Sequence, residues 1–160
     1  MNHTTKILLS LALSLLTVGC EQEANSVVHN QGVNCLECHS FSSAGTVYNN
    51  LRGKNNTSDG TANGYKIQLL LSNKQVIQYQ QAIGHGNSLW NGDTGAINDF
   101  TAQIIDPNGK VVNSSLKNSH NVGRLACNSC HTQDGLNGAP GRLVNYTYYK
   151  TLAKKIQENN

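Results

Sequence analysis

Beyond Met1 the 160-residue chain contains no methionine, which leaves imidazole and thiol as the soft donors that a metal could find in it. Charge is also scarce. Only 13% of residues are charged, which argues against a long charged helix bundle. Basic runs are missing, so the formal charge of +3 gives no reason to expect nucleic acid as a partner. No apolar stretch reaches the ~20 residues that a membrane-spanning helix needs; the longest covers residues 7–18. At this length and with 38% hydrophobic residues, one modest domain is expected, without a deep multilayered core. The 15 glycines and abundant asparagine point to turn-rich, β-leaning structure.

What is present begins with an export signal. Lys6 precedes the apolar run, and Gly19 and Cys20 follow it. That order is a secretory signal rather than a retained anchor. Residues 16–20, Leu-Thr-Val-Gly-Cys, resemble a bacterial lipobox, which implies cleavage before Cys20 and lipid on its sulfur. Glu21 rather than Asp follows, and in lipoprotein sorting that implies passage to the outer membrane. Cysteine arithmetic agrees, since of five cysteines four fall in two identical spacings and Cys20 is the one left over. Plain secretion, with Cys20 an ordinary residue, is the alternative.

The two spacings are Cys35-Leu36-Glu37-Cys38-His39 and Cys127-Asn128-Ser129-Cys130-His131. Both have the C-x-x-C-H form of covalent haem attachment. Two intervening residues make about one helical turn, so both sulfurs can face one side and form thioethers with the vinyl groups. The adjacent histidine, His39 or His131, then reaches the iron as proximal ligand. A disulfide does not explain the histidine in both motifs. A four-sulfur zinc site leaves both histidines surplus, and a thioredoxin-like pair expects one motif beside a βαβ unit. Two covalently bound haems c are therefore expected. Their propionates would offset the +3 charge of the chain.

With no methionine left, histidine is the expected ligand on the far side of each iron, and His29, His85 and His120 are the candidates. His29 precedes Cys35 by six positions and His120 precedes Cys127 by seven, which favours this pair. His85 stands between Gly84 and Gly86, in a segment flexible enough to approach a haem. An iron with two protein histidines has no open position and shuttles single electrons.

Residues 40–126, between the motifs, carry strand patterns. Tyr65, Ile67, Leu69 and Leu71 alternate with Lys66, Gln68 and Leu70. Asn73 and Lys74 fit a turn into residues 76–79, and Asp106-Pro107-Asn108-Gly109 separates the run at 100–104 from Val111 and Val112, which predicts a hairpin. Thr46, Val47 and Tyr48 make an early strand, and residues 51–63 read as a mobile surface loop. Short strands at this spacing suggest a β-sandwich.

The first motif followed by Gly45-Thr46-Val47-Tyr48, the glycine-rich β segment, the second motif and Gly138-Ala139-Pro140-Gly141-Arg142 together resemble exported dihaem cytochromes of the multihaem cytochrome c superfamily. In these a small immunoglobulin-like domain, similar to carboxypeptidase regulatory domains, separates the haem motifs. The resemblance covers about residues 33–145. It implies a mainly β chain: a signal peptide over 1–19, a linker over 20–32 headed by lipidated Cys20, and haem segments at 33–44 and 119–145. A β-sandwich over 45–118 would lie between the haem segments, with a C-terminal helix or tail over 146–160, where Tyr148, Tyr149, Leu152 and Ile156 have helical spacing. Arg124 and Arg142 are then candidates to pair with haem propionates. The function expected is single-electron transfer between redox proteins in the periplasm or at the outer membrane or cell surface, with the membrane held through the lipid. A small peroxidase or oxyanion reductase with one open iron position, or a surface interaction module with structural haems, are the competing readings.

Overall fold

In the computed structural model, residues 30–55, 60–81, 86–95, 97–116 and 119–147 are described. The chain is mainly β, with two four-stranded sheets and one short α-helix among the described residues. Strand β2, Lys66–Leu71, buries Ile67, Leu69 and Leu71, as a period of two requires. Its turn is set by Asn73, whose side-chain oxygen accepts the Gln75 N–H at 2.9 Å, and by Lys74 at φ 69°. Antiparallel β3, Val76–Gln78, follows.

On the other side of β2 lies β6, Phe100–Ile105, with Ile67 opposite Ile104 and Leu69 opposite Ala102. The expected hairpin then forms. The Asp106 carboxylate accepts the N–H groups of Asn108 and Lys110, each at 2.9 Å, Gly109 takes φ 83°, and β7, Val111–Ser114, returns antiparallel.

The second sheet runs β4–β5–β1–β8. Strand β4 is Gln80–Gln81, β5 is Asn87–Trp90, β1 is Ser43–Tyr48 and β8 is Leu143–Val144. At Tyr79 the chain changes sheets: its N–H donates to Ile67 of the first sheet at 2.9 Å, while Gln80 already pairs with Leu89 of β5 in the second. One hydrophobic core unites Val47, Leu143 and Leu125 with Ile67, Leu69, Phe100 and Ile104.

Three sequence expectations are altered. The strand around Thr46 is longer than its triad, and all six residues of β1 are buried. Residues 51–63 are not simply a surface loop, because Ala62 belongs to the core and Thr61 bridges Tyr48. The segment after the second motif is not a flank either: β8 lies parallel to β1, with Val47 opposite Leu143 and Tyr48 opposite Val144. Further down the same edge Ala126 bridges Ala44, and the amide oxygen of Asn128 accepts the Thr46 N–H at 3.0 Å. The second motif is thus built into the sheet. The expected C-terminal helix, like the signal peptide and Cys20, lies outside the described residues. Among the described residues no helix is long and apolar enough to cross a membrane.

Candidate cofactor site

The second motif forms helix α1, Cys127–Cys130. Its start rests on β1 because Gly45 has no side chain: a Cβ there would lie 2.7 Å from the Cys127 Cβ and 2.8 Å from Ile67 Cδ1. Cys127 therefore sinks toward the core, and burial pushes its thiol up to about 12. Tyr79 and Ser43 join hydroxyls beneath it, and Ser43 also donates to the Leu125 carbonyl.

His131 closes the helix, its N–H donating to the Cys127 carbonyl at 2.9 Å. Its ring is oriented by a contact of 2.9 Å between Nδ1 and the Gly141 carbonyl. A carbonyl only accepts, so Nδ1 carries the proton and Nε2 keeps its lone pair. Opposite stands His120. Its backbone exchanges hydrogen bonds with Phe100 at 2.8 and 3.2 Å, its ring stacks on the Phe100 ring at 5.5 Å, and its Nδ1 contacts the Ser119 hydroxyl at 2.9 Å. The His120 and His131 ring centres are 6.4 Å apart with planes 14° from parallel. Burial first, then the neighbouring His131 and Arg124, lowers the His120 pKa to about 4. Burial is the main cause of a lowered His131 pKa as well. Both imidazoles are thus neutral at pH 7, the form that binds a metal.

These rings and the sulfurs of Cys127 and Cys130 border a cavity of about 300 Å³, floored by Ile67, Leu69, Phe100 and Ile104 and walled by Leu143 and Val144. The apolar face of the β2–β6 pair therefore serves both as core and as cavity floor.

Arg124 is exposed at the cavity and donates to the Ser119 carbonyl at 3.3 Å. Arg142 departs from its expected role. It is 2% exposed, and its guanidinium donates to the carbonyls of Gly53, Gly32 and His131 at 2.9, 2.9 and 3.0 Å and to the Asn55 side chain. That uses four of the five N–H groups an arginine has, and the group also lies over the Tyr48 ring at 5.0 Å. It is an internal tie rather than a propionate partner.

The first motif is held differently. Cys35–Glu37 is a 3₁₀ turn capped by Asn34, whose side chain accepts the Leu36 N–H at 3.2 Å. Cys35 is half-buried, and burial raises its thiol pKa; Cys38 and His39 are exposed, with His39 stacked on Phe41 at 4.8 Å. His29 and His85 lie outside the described residues; His120 is the far-side candidate among the described ones, and it lies beside the second motif.

Sequence reasoning missed Asn128, Gly45, Ser119 and Gly141. Gly45 and Asn128 stood in quoted motifs, but only the pairing along β1 gives them a role. Among the described residues no group of three or more His, Cys, Asp or Glu side chains could hold a bare metal ion. Comparison with protein-family models finds no match, and comparisons with curated proteins and with solved structures find none either.

Proposed function

We propose that the chain is a dihaem c-type cytochrome that passes single electrons between redox proteins. The observation that carries this reading is the opposed pair His120 and His131 beside Cys127 and Cys130. A metal held about 2 Å from a nitrogen of each of two imidazoles separates the ring centres by roughly 6 Å, and the rings here stand 6.4 Å apart. Both Nδ1 atoms have partners in the protein, which leaves Nε2 of each ring as the nitrogen that could bind a metal.

When bound, the haem supplies a one-electron couple. The residues around it do the rest. Cys127 and Cys130 would anchor it through thioethers, Phe100 and Ser119 would hold the His120 ring, and Gly141 would fix the tautomer of His131. Ile67, Leu69 and Ile104 would exclude water, and Arg124 stands where a propionate at the cavity mouth could meet it. If His120 and His131 both bind the haem iron, no open position would remain there for a substrate, which favours a carrier over a peroxidase or reductase. Cys35, Cys38 and His39 would hold the second haem, with its far-side ligand drawn from His29 and His85.

In the finer reading the two sheets form an immunoglobulin-like sandwich, and Cys20 carries the lipid that tethers the protein at the outer membrane. Expression with a haem-attachment system tests the function. Intact mass should show two added haems, and spectra six-coordinate low-spin iron at the second site. A chain that gains no haem, or a high-spin five-coordinate second site, overturns the reading.

A further inference from the structure

The two motifs are far apart in sequence and adjacent in the fold. The Val33 carbonyl oxygen, two residues before Cys35, accepts a hydrogen bond from the Asn128 amide at 2.8 Å and lies 3.7 Å from the Cys35 sulfur. Asn128 directly follows Cys127. One oxygen atom thus touches the first attachment thiol of one motif and the chain neighbour of the first attachment thiol of the other.

Two further ties act on the same junction. Arg142 Nη1 donates to the Gly32 carbonyl and to the His131 carbonyl, at 2.9 and 3.0 Å. The Thr46 hydroxyl accepts from the Gly32 N–H and from the Asn128 amide, each at 3.1 Å. Asn128 is 3% exposed, and each of its polar atoms is engaged, the oxygen by the Thr46 N–H at 3.0 Å. Attachment itself asks nothing of this position, where the first motif has Leu36. A buried amide with all its partners specifies one arrangement, and here it is the arrangement of two segments along one strand.

We propose that the chain carries its two haems as one adjoining pair, with Asn128 as the positioning residue that sets the second attachment cysteine against the first attachment segment. The proposal rests on the dihaem reading above. Cys35 lies close enough to Cys127 to add to the cost of ionising its thiol, in keeping with the approach of the two segments. Both sulfurs stand beside β1, so the haem edges anchored on them face common ground. Two haems held this way would exchange single electrons with no bond made or broken, one being oxidised as the other is reduced. Charge on one haem acts on the other through protein rather than water, where the interaction is stronger, so the two irons titrate as a coupled pair.

Intact mass and circular dichroism in the Soret band test this together. Two haems held close give a couplet of opposite-signed bands. In the wild-type protein with two haems the couplet is expected, and in Asn128→Ala with both haems still attached it should fall by half or more. Asn128→Asp keeps the acceptor for Thr46 N–H but turns an oxygen toward the Val33 carbonyl; it should weaken the couplet while far-ultraviolet dichroism stays at the wild-type level, which covers the case in which the alanine variant does not fold. Two haems with a single-signed band overturn the pair alone, as does a couplet that neither variant changes. Fewer than two haems in the wild type overturns the dihaem reading and the pair with it.

Discussion

His120 and His131 face each other with ring centres 6.4 Å apart, one ring held at Nδ1 by the Ser119 hydroxyl and the other by the Gly141 carbonyl. Each ring is thus held by its own partner, and both line the same cavity.

His120→Ala should therefore open one axial position without loss of covalent haem. Absorption spectra are expected to change from low-spin to high-spin at one haem of two, and the reduced protein should bind carbon monoxide rapidly. Unchanged spectra would assign the far-side position to another histidine.

The haem-free chain should weaken as pH falls. His120 has a pKa of about 4 in the folded chain against an ordinary 6.5, so the unfolded state binds more protons between these values. The contribution is whole above pH 6.5 and is lost as pH drops toward 4, since burial first, then His131 and Arg124, oppose a charge on the folded ring. Urea midpoints at pH 7.5 and 4.5 should differ more for the wild type than for His120→Asn. In the haem-bound protein this difference should shrink, because an imidazole on iron takes no proton.

Gly45→Ala introduces a Cβ within 2.7 Å of Cys127 and 2.8 Å of Ile67. Overpacking of this kind costs about 1–3 kcal/mol. Chemical denaturation measures it, and a stability equal to wild type would show that helix α1 can lift from β1 at no cost.

Arg142→Met would leave the Gly32, Gly53 and His131 carbonyls without their donor. At roughly 1–3 kcal/mol for each buried group left unpaired, the variant should lose most of a small domain's stability. Arg142→Lys keeps the charge without the planar fork and should fall between the two. Equal stability of the lysine and methionine variants would assign the effect to packing against Tyr48 rather than to hydrogen bonds.

Ser88 is the opposite case. Its hydroxyl is buried on β5, opposite Gly45, and has no hydrogen-bond partner among the described residues. Ser88→Ala should be neutral or stabilising by about 1 kcal/mol, read as the shift in thermal midpoint. A clear loss would mean that the hydroxyl has a partner in the haem-bound protein.

Much of this molecule could be read along the chain because the signals concerned are local. The alternation of Ile67, Leu69 and Leu71 gave a strand buried on one face, Asp106 to Gly109 gave a turn, and each C-x-x-C-H motif states its chemistry within five residues. The interval from His120 to Cys127 pointed to the histidine that the fold brings to His131, although spacing alone could not say which motif it serves. Arg142 was misread for a related reason: sequence shows a guanidinium near a motif, but only burial among carbonyls reveals where its N–H groups go. Asn128 and Gly45 were invisible as functional residues because their roles depend on β1, more than eighty positions away from Asn128 in the chain. Residue type and short-range spacing determined the strands and the turns, and they carry the proposed attachment chemistry. The opposition of two imidazoles over an apolar floor, and the meeting of both motifs on one strand, were decided by pairing between distant segments, since hydrogen bonds across a sheet edge leave no period in the sequence.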